Sequence, residues 1–198
     1  MGGITIKNPG SGDQARVSTD GQLFTQAENL PLQHYISRFR GQAYQFQMNH
    51  TISGTGTKVV GHIRNNSPTL SLVATFARLQ AIGLTGGTTL PDDGNYWALG
   101  FGRTFSSGGT STTPINMNRN SGNAAAVIAY DNNPTLAGTF DEFDRFYPTD
   151  GGQFSFNKEG SLILGANDTL EFRFVTDHTA GELYARLTFL MMDLSDVL

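Results

Sequence analysis

The feature that most constrains this chain is an alternation of apolar and polar residues with a period of two. Tyr44, Phe46 and Met48 alternate with glutamine and asparagine, and the same spacing returns over 170–174 and 183–191. Successive side chains of a strand point to opposite faces of a sheet. The pattern therefore predicts strands with one face on a core and the other at solvent or at an interface.

Composition favours a β-rich domain and narrows the possible partners. The 198 residues suffice for one domain with a full core; only 15 % of them are charged and 24 are glycine, which suits turns and sheet surfaces better than helices. A net charge of −4 argues against binding nucleic acid through its phosphates. Cysteine is absent, which excludes disulfides and fits a reducing cytoplasm. No apolar run approaches the length of a membrane span.

The chain is predicted to consist of an arm and one domain. Residues 1–22 are rich in Gly, Ser and Asp and are expected to form an extended N-terminal arm that is ordered only against a partner. Residues 23–198 are expected to form a single all-β domain, a jelly-roll or β-sandwich of about eight strands joined by Gly, Asn and Pro turns. Helix remains an alternative at 77–81, the end of a strand predicted over 70–82, and a short helix is an option across 140–147.

Candidate catalytic and metal-binding residues are scattered. His50 and His62 fall on neighbouring predicted strands, where a structural cross-strand pair is favoured over a metal site. Asp141 and Asp144 lack the ligand spacing of a calcium loop, so a solvated acidic face is the simpler interpretation. The glycine-rich run 54–58 is predicted to be a hairpin turn. The sequence therefore predicts no enzyme, no cofactor and no functional metal.

Three groups of segments follow the pattern of a known family. They are VSTDGQL at 17–23 with GQAYQF at 41–46, TPINMNRNS at 113–121 with NAA at 123–125, and LGANDTL at 164–170. On these segments the chain resembles the jelly-roll head-decoration, or cement, proteins of tailed bacteriophages. The resemblance implies a trimer on the outer capsid surface, at three-fold and local three-fold positions, that staples neighbouring subunits of the major capsid protein. It implies no catalytic residues.

The expected function is accordingly that of a structural virion protein, assembled in the host cytoplasm. Its expected partners are the major capsid protein and two further copies of itself, with neither nucleic acid nor membrane. A homotrimer is also suggested by Tyr184, Leu190 and Met192, which lie opposite the 183–191 core stripe and would leave a surplus apolar face on one sandwich. An arm of this kind can add a strand to an exposed sheet edge. The candidate contact residues are Ile4, Ile6, Lys7, Arg16, Phe24, Tyr35, Arg38 and Arg40.

Two alternatives belong to other classes of protein. A tail-fibre or adhesin module would use a similar scaffold to bind host glycan through exposed aromatic residues such as Trp97 or Tyr130. A sugar-active enzyme would use carboxylates such as Asp141 and Asp144. Fold alone does not separate these functions.

Overall fold

The chain divides into two units, Met1–Pro31 and Leu32–Leu198. The computed structural model describes residues 16–17, 23–24, 36–149 and 151–193, with the backbone alone at 16–17, 23–24, 38–39 and 158–160. In the first unit, Arg16–Val17 (β1) pairs antiparallel with Leu23–Phe24 (β2).

The second unit is built almost entirely from strands. A helical turn, Ile36–Arg40, precedes them. The strands are β3 (Ala43–Ser53), β4 (Gly56–Asn65), β5 (Ser71–Thr85), β6 (Tyr96–Phe101), β7 (Thr104–Ser107), β8 (Thr110–Ser111), β9 (Ile115–Asn116), β10 (Val127–Asp131), β11 (Thr135–Ala137), β12 (Asp141–Phe146), β13 (Gln153–Leu164), β14 (Thr169–Thr176) and β15 (Ala180–Met192).

These strands form a jelly-roll sandwich of two antiparallel sheets. Sheet I has the order β13-β5-β15-β3, with the short strand β9 added beside β3. Sheet II has the order β12-β6-β14-β4, with β10 and β8 added beside β4. A separate ribbon pairs β7 with β11. The two sets of four are the strand orders of a jelly roll, in which consecutive strands cross between sheets. The predicted all-β class is confirmed.

The period-two stripes supply the core, as predicted. The inward side chains of β3, β14 and β15 are fully buried and pack between the two sheets. Trp97 on β6 and Phe174 on β14 pack with their ring centroids 5.1 Å apart, and Tyr44 stacks on Phe189 at 5.6 Å. Aromatic pairs of this kind add to the free energy gained by burying their surface.

The helix considered across 140–147 is wrong, because this segment contains strand β12. The strand pairs with β6, and a bulge lies between Glu142 and Asp144. The extra residue breaks the period of two, so the aromatic residues acquire a helical spacing on an extended backbone. The 77–81 segment is also strand, in the middle of β5.

The surplus apolar face proposed at the end of the chain is largely covered by the chain itself. Leu190 and Met192 are buried, and of the three residues only Tyr184 is exposed. The cover is a second small cluster formed with Ile36, Ala43 and Val73. The helical turn before β3 therefore removes the argument for a trimer that was based on these side chains.

The histidine pair and the hairpin are also corrected by the strand order. His50 on β3 lies opposite Leu183 in sheet I, whereas His62 on β4 lies opposite Glu171 in sheet II. The two histidines therefore belong to different sheets. The 54–58 run passes from sheet I to sheet II and is not a hairpin between paired strands.

A buried asparagine fastens the loop between β5 and β6 to the turn between β14 and β15. Asn95 is fully buried, and its amide donates to Asp177 Oδ1 at 2.8 Å. Its carbonyl accepts from the Thr176 hydroxyl at 2.8 Å and the Asp177 amide at 3.1 Å. The Thr88 hydroxyl lies 2.7 Å from Asp92 Oδ2 and 2.8 Å from Asp177 Oδ2. The two loops are therefore held by one connected set of hydrogen bonds.

This set of hydrogen bonds is expected to make the fold sensitive to acid. The Thr88 hydroxyl lowers the pKa of Asp92, and the Asn95 amide lowers that of Asp177, below the ordinary value of 3.8. A carboxylate with a lower pKa in the folded state stabilises it above the unfolded pKa, and this contribution is lost as the pH falls through the folded pKa. We expect the contribution to be constant above about pH 5 and to decline below about pH 4.

Urea titrations at several pH values test this expectation. The Asp177→Asn variant keeps an acceptor oxygen but cannot titrate, so its free energy of unfolding should fall less steeply below pH 4 than that of the wild type. Equal slopes for the two proteins would contradict the assignment.

Candidate functional site

The predicted contact residues lie mostly outside what the structure describes. Ile4, Ile6, Lys7 and Tyr35 are outside the described residues. Of Arg16, Phe24 and Arg38 only the backbone is described, in β1, β2 and the helical turn. Arg40 is exposed and ends the helical turn, directly before Gly41 and β3. The segment that leads into the sandwich is therefore described only from this turn onwards.

Four polar side chains of β9 and the loop after it hold the end of the helical turn; we call them the asparagine clamp. The side-chain amides of Asn118, Asn123 and Asn116 donate to the backbone carbonyls of Ser37, Arg40 and Gly41, at 2.9, 2.9 and 2.8 Å. The fourth member, Ser121, also donates to Gly41 O, at 3.3 Å. The carbonyls at a helix end lack partners within the helix. The clamp therefore fixes the end of the helical turn directly before β3.

The clamp is held in shape by bonds within its own loop. The backbone amide of Asn118 donates to Asn116 Oδ1 at 2.8 Å, and that of Asn120 donates to Asn118 Oδ1 at 3.1 Å. Asparagine commonly forms such turns, in which the side chain accepts from the backbone two residues later. Gly41 has φ +59°, and a Cβ there would meet the Ser121 hydroxyl at 2.2 Å. The close approach of clamp and turn therefore requires glycine.

β9 and the residue that follows it present two apolar side chains to solvent. Ile115 is 60 % exposed and Met117 is 51 % exposed. Their backbone is fixed, because Ile115 pairs with Gln45 of β3 and the Met117 amide donates to Ala43 O at 2.8 Å. Exposed aliphatic side chains on a fixed backbone suit contact with another protein. We call β9, Met117 and the clamp the β9 edge.

Two of the three segment groups that carry the family resemblance meet at this edge. The 41–46 segment opens β3, and the 113–121 segment contains β9 and most of the clamp. They are joined by the pairing of Tyr44 with Asn116 and by the clamp bonds to Gly41. Sequence reasoning missed the clamp, although asparagine at every second position from 116 to 120 is a sign of such turns.

A buried charged cluster lies on the outer face of sheet II. Glu171 is 1 % exposed and pairs with Arg103 at 3.3 Å and Arg173 at 2.8 Å. The Arg103 guanidinium also donates to Leu136 O, and Arg173 lies 3.3 Å from the ring centroid of Phe140. These contacts fasten the β7–β11 ribbon and the segment after it onto the sheet.

His62 completes this cluster. Its Nε2 donates to Arg103 O at 3.0 Å. Burial lowers the pKa of His62, and a lowered pKa keeps the imidazole uncharged at neutral pH. Arg103 and Arg173 share one oxygen of Glu171, so the cluster is a structural fastening built around a single buried carboxylate.

The residues named by the two alternative functions occupy different environments. Trp97 is 1 % exposed and belongs to the core, so it offers no surface to a glycan. Tyr130 is half-buried and stacks on Phe105, with 3.7 Å between ring centroids. Asp141 and Asp144 lie on the edge strand β12.

The described residues contain neither a metal-binding cluster nor a membrane-spanning helix. In that part of the chain, no three His, Asp or Glu side chains come together as a metal ion would require. None of the described residues lies in a helix long and apolar enough to cross a membrane.

Comparison with known proteins provides no basis for assigning a family to this chain. No family model matches the chain, and no curated protein matches it. A structural search returns the crystal structure of the infectious bursal disease virus VP2 subviral particle, at 12 % identity and a TM-score of 0.16. The alignment covers 78 % of this chain and 40 % of that one. A score of this size does not establish a shared fold.

Proposed function

We propose that this protein is a structural virion protein. It binds the outer surface of a tailed-phage head as a trimer and stabilises contacts between subunits of the major capsid protein. The observation that carries the proposal is the β9 edge, where two of the resembling segment groups meet and expose Ile115 and Met117 beside the asparagine clamp.

The energetics of this edge suit attachment to a shell. Burying the exposed parts of Ile115 and Met117 is worth about 1–2 kcal/mol each, at about 25 cal/mol per Å². In a trimer the edge occurs three times, and the second and third contacts form at a raised effective concentration. Small contacts then add up to firm attachment.

A binding assay on particles tests the proposal. Virus particles produced by the genome that encodes this chain, but without its product, are mixed with purified protein, and bound copies are counted. We expect saturable binding in multiples of three. The double variant Ile115→Ser/Met117→Ser should bind at least about tenfold more weakly, because it removes the apolar contact without touching the core.

The matched control is Ile163→Ser. Ile163 is 40 % exposed and lies on β13, at the other edge of sheet I. Its substitution should leave binding unchanged. Absence of the wild-type protein from the particle surface would refute the proposal. Full occupancy by the double variant would refute the role of the β9 edge, and the same assay with Ile4→Ser/Ile6→Ser would then test the predicted arm.

A further inference from the structure

The outer face of sheet I carries a polar groove of about 370 Å³. It crosses the three strands β3, β15 and β5, whose opposite faces line the core. We call it the arginine platform. Its principal lining residues are Gln47, Asn49, Arg78, Gln80, Tyr184 and Arg186.

Two arginines lie side by side, on neighbouring strands, in the middle of this platform. Arg186 of β15 lies directly opposite Arg78 of β5 and, on its other side, directly opposite Gln47 of β3. Like charges in directly opposite positions destabilise a sheet. Arg78 donates to the neutral amide of Gln153, and Glu182, farther along β15, accepts from the Thr51 hydroxyl at 3.0 Å. The Arg78–Arg186 pair therefore concentrates positive charge on a protein whose net charge is −4, and Glu182 lies four residues from Arg186 on the same face of β15.

An exposed aromatic ring and three amides surround the arginine pair. Tyr184 is 42 % exposed and lies between Asn49 and Gln80 in the neighbouring row of the sheet. Residues two apart on a strand share a face and lie about 6.8 Å apart. The backbone positions of Tyr184 and Arg186 are thus separated by about the breadth of one sugar ring with its substituent.

We propose that the arginine platform binds a carboxylate-bearing glycan, such as a chain of uronic acids. The Tyr184 ring packs against the C–H face of a sugar. The guanidinium groups of Arg186 and Arg78 donate paired hydrogen bonds to its carboxylate. The amides of Gln47, Asn49 and Gln80 both donate and accept, which suits vicinal hydroxyl groups.

The chemistry of the face favours a glycan over an acidic protein segment. Protein interfaces are anchored by a desolvated apolar centre. Here the centre consists of two charges and several amides, and the aromatic surface is limited to Tyr184 and, farther along β5, the 37 %-exposed ring of Phe76. Separate rings beside polar groups match a chain of sugars. The proposal is independent of the β9 edge and of attachment to a capsid.

Calorimetric titration with defined probes tests it. The full chain is titrated with tetragalacturonate, with the uncharged maltotetraose, and with hexaglutamate as an acidic peptide. We expect tetragalacturonate to bind at least about tenfold more tightly than either of the other two. Arg186→Gln and Tyr184→Ala should each weaken that binding at least about tenfold.

The control variant is Arg119→Gln, which removes one exposed positive charge outside the platform and should leave the affinity unchanged within twofold. Melting temperatures identify any variant that fails to fold. Arg186→Gln should melt at the wild-type temperature or above it, because it removes a like-charge pair. No binding of tetragalacturonate by the wild type, or equal weakening by Arg119→Gln, overturns the proposal. Tighter binding of hexaglutamate than of the glycan overturns it in favour of a protein partner.

Discussion

Replacing Asn95 by alanine is expected to lower the free energy of unfolding by about 3–5 kcal/mol. The side chain is fully buried, and its amide and carbonyl together contact Thr88, Asp177, Thr176 and His178 at 2.8–3.2 Å. Alanine leaves the buried Thr176 and His178 groups with fewer partners. Each hydrogen bond lost with the side chain costs about 0.5–1.5 kcal/mol, and the loss of several of them gives the expected change. Urea denaturation measures the loss.

The control for this substitution is Asn120→Ala. Asn120 is exposed in the clamp loop, and the bond it makes there uses its backbone amide. Removing the Asn120 side chain should therefore change the free energy of unfolding by less than about 0.5 kcal/mol. An Asn95→Ala variant that unfolds within 1 kcal/mol of the wild type would show that the two loops are held by other contacts.

Replacing Glu171 by alanine gives the second large effect. The free energy of unfolding is expected to fall by about 3 kcal/mol. The substitution removes the carboxylate that pairs with Arg103 and Arg173. It leaves the Arg103 guanidinium at Leu136 O and the Arg173 guanidinium over the Phe140 ring, both without that carboxylate. Breaking a buried pair in this way costs about 3–5 kcal/mol. The lower value applies because the arginine side chains keep 20 % and 16 % exposure.

The comparison is with an ion pair of the same kind at the surface. Glu142 pairs with Arg145 at 2.7 Å, with exposures of 29 % and 42 %. Glu142→Ala should therefore cost less than about 1 kcal/mol. If the two substitutions cost the same, burial does not govern the strength of the Glu171 cluster. Hydrogen exchange in the β7–β11 ribbon should rise in Glu171→Ala alone.

Alternation in the sequence predicts the long core strands and the inward side chains of the three stripes. Alternation distinguishes the two faces of a strand. The side chains that it assigns to the core are buried, both at Tyr44, Phe46 and Met48 and in the two later stripes. Alternation does not report what covers the polar face. Glu171 has the position of a solvent-facing residue in its stripe, yet the ribbon from a distant part of the chain buries it.

The alternation pattern alone predicts neither which strands pair nor the two surface sites, the β9 edge and the arginine platform. Neighbouring strands of a jelly roll cross between sheets, so His50 and His62 are close in sequence order but not paired. On sequence grounds Trp97 is a candidate surface residue, because nothing local distinguishes a buried from an exposed aromatic ring in a strand. The arginine platform required the register that sets Arg186 opposite Arg78, and register depends on the whole sheet.

The position of β15 in sheet I has a consequence for how the chain is made. This strand, the last of those described, lies between β3 and β5, and its bond from Thr51 to Glu182 joins residues 131 positions apart. On the ribosome, β3 and β5 emerge long before the strand that separates them. Contacts this distant in sequence slow folding, and unpaired strands meanwhile expose apolar surface that promotes aggregation. Sheet I is therefore completed only after β15 has been synthesised. Until then the nascent chain depends on cellular chaperones to prevent its aggregation.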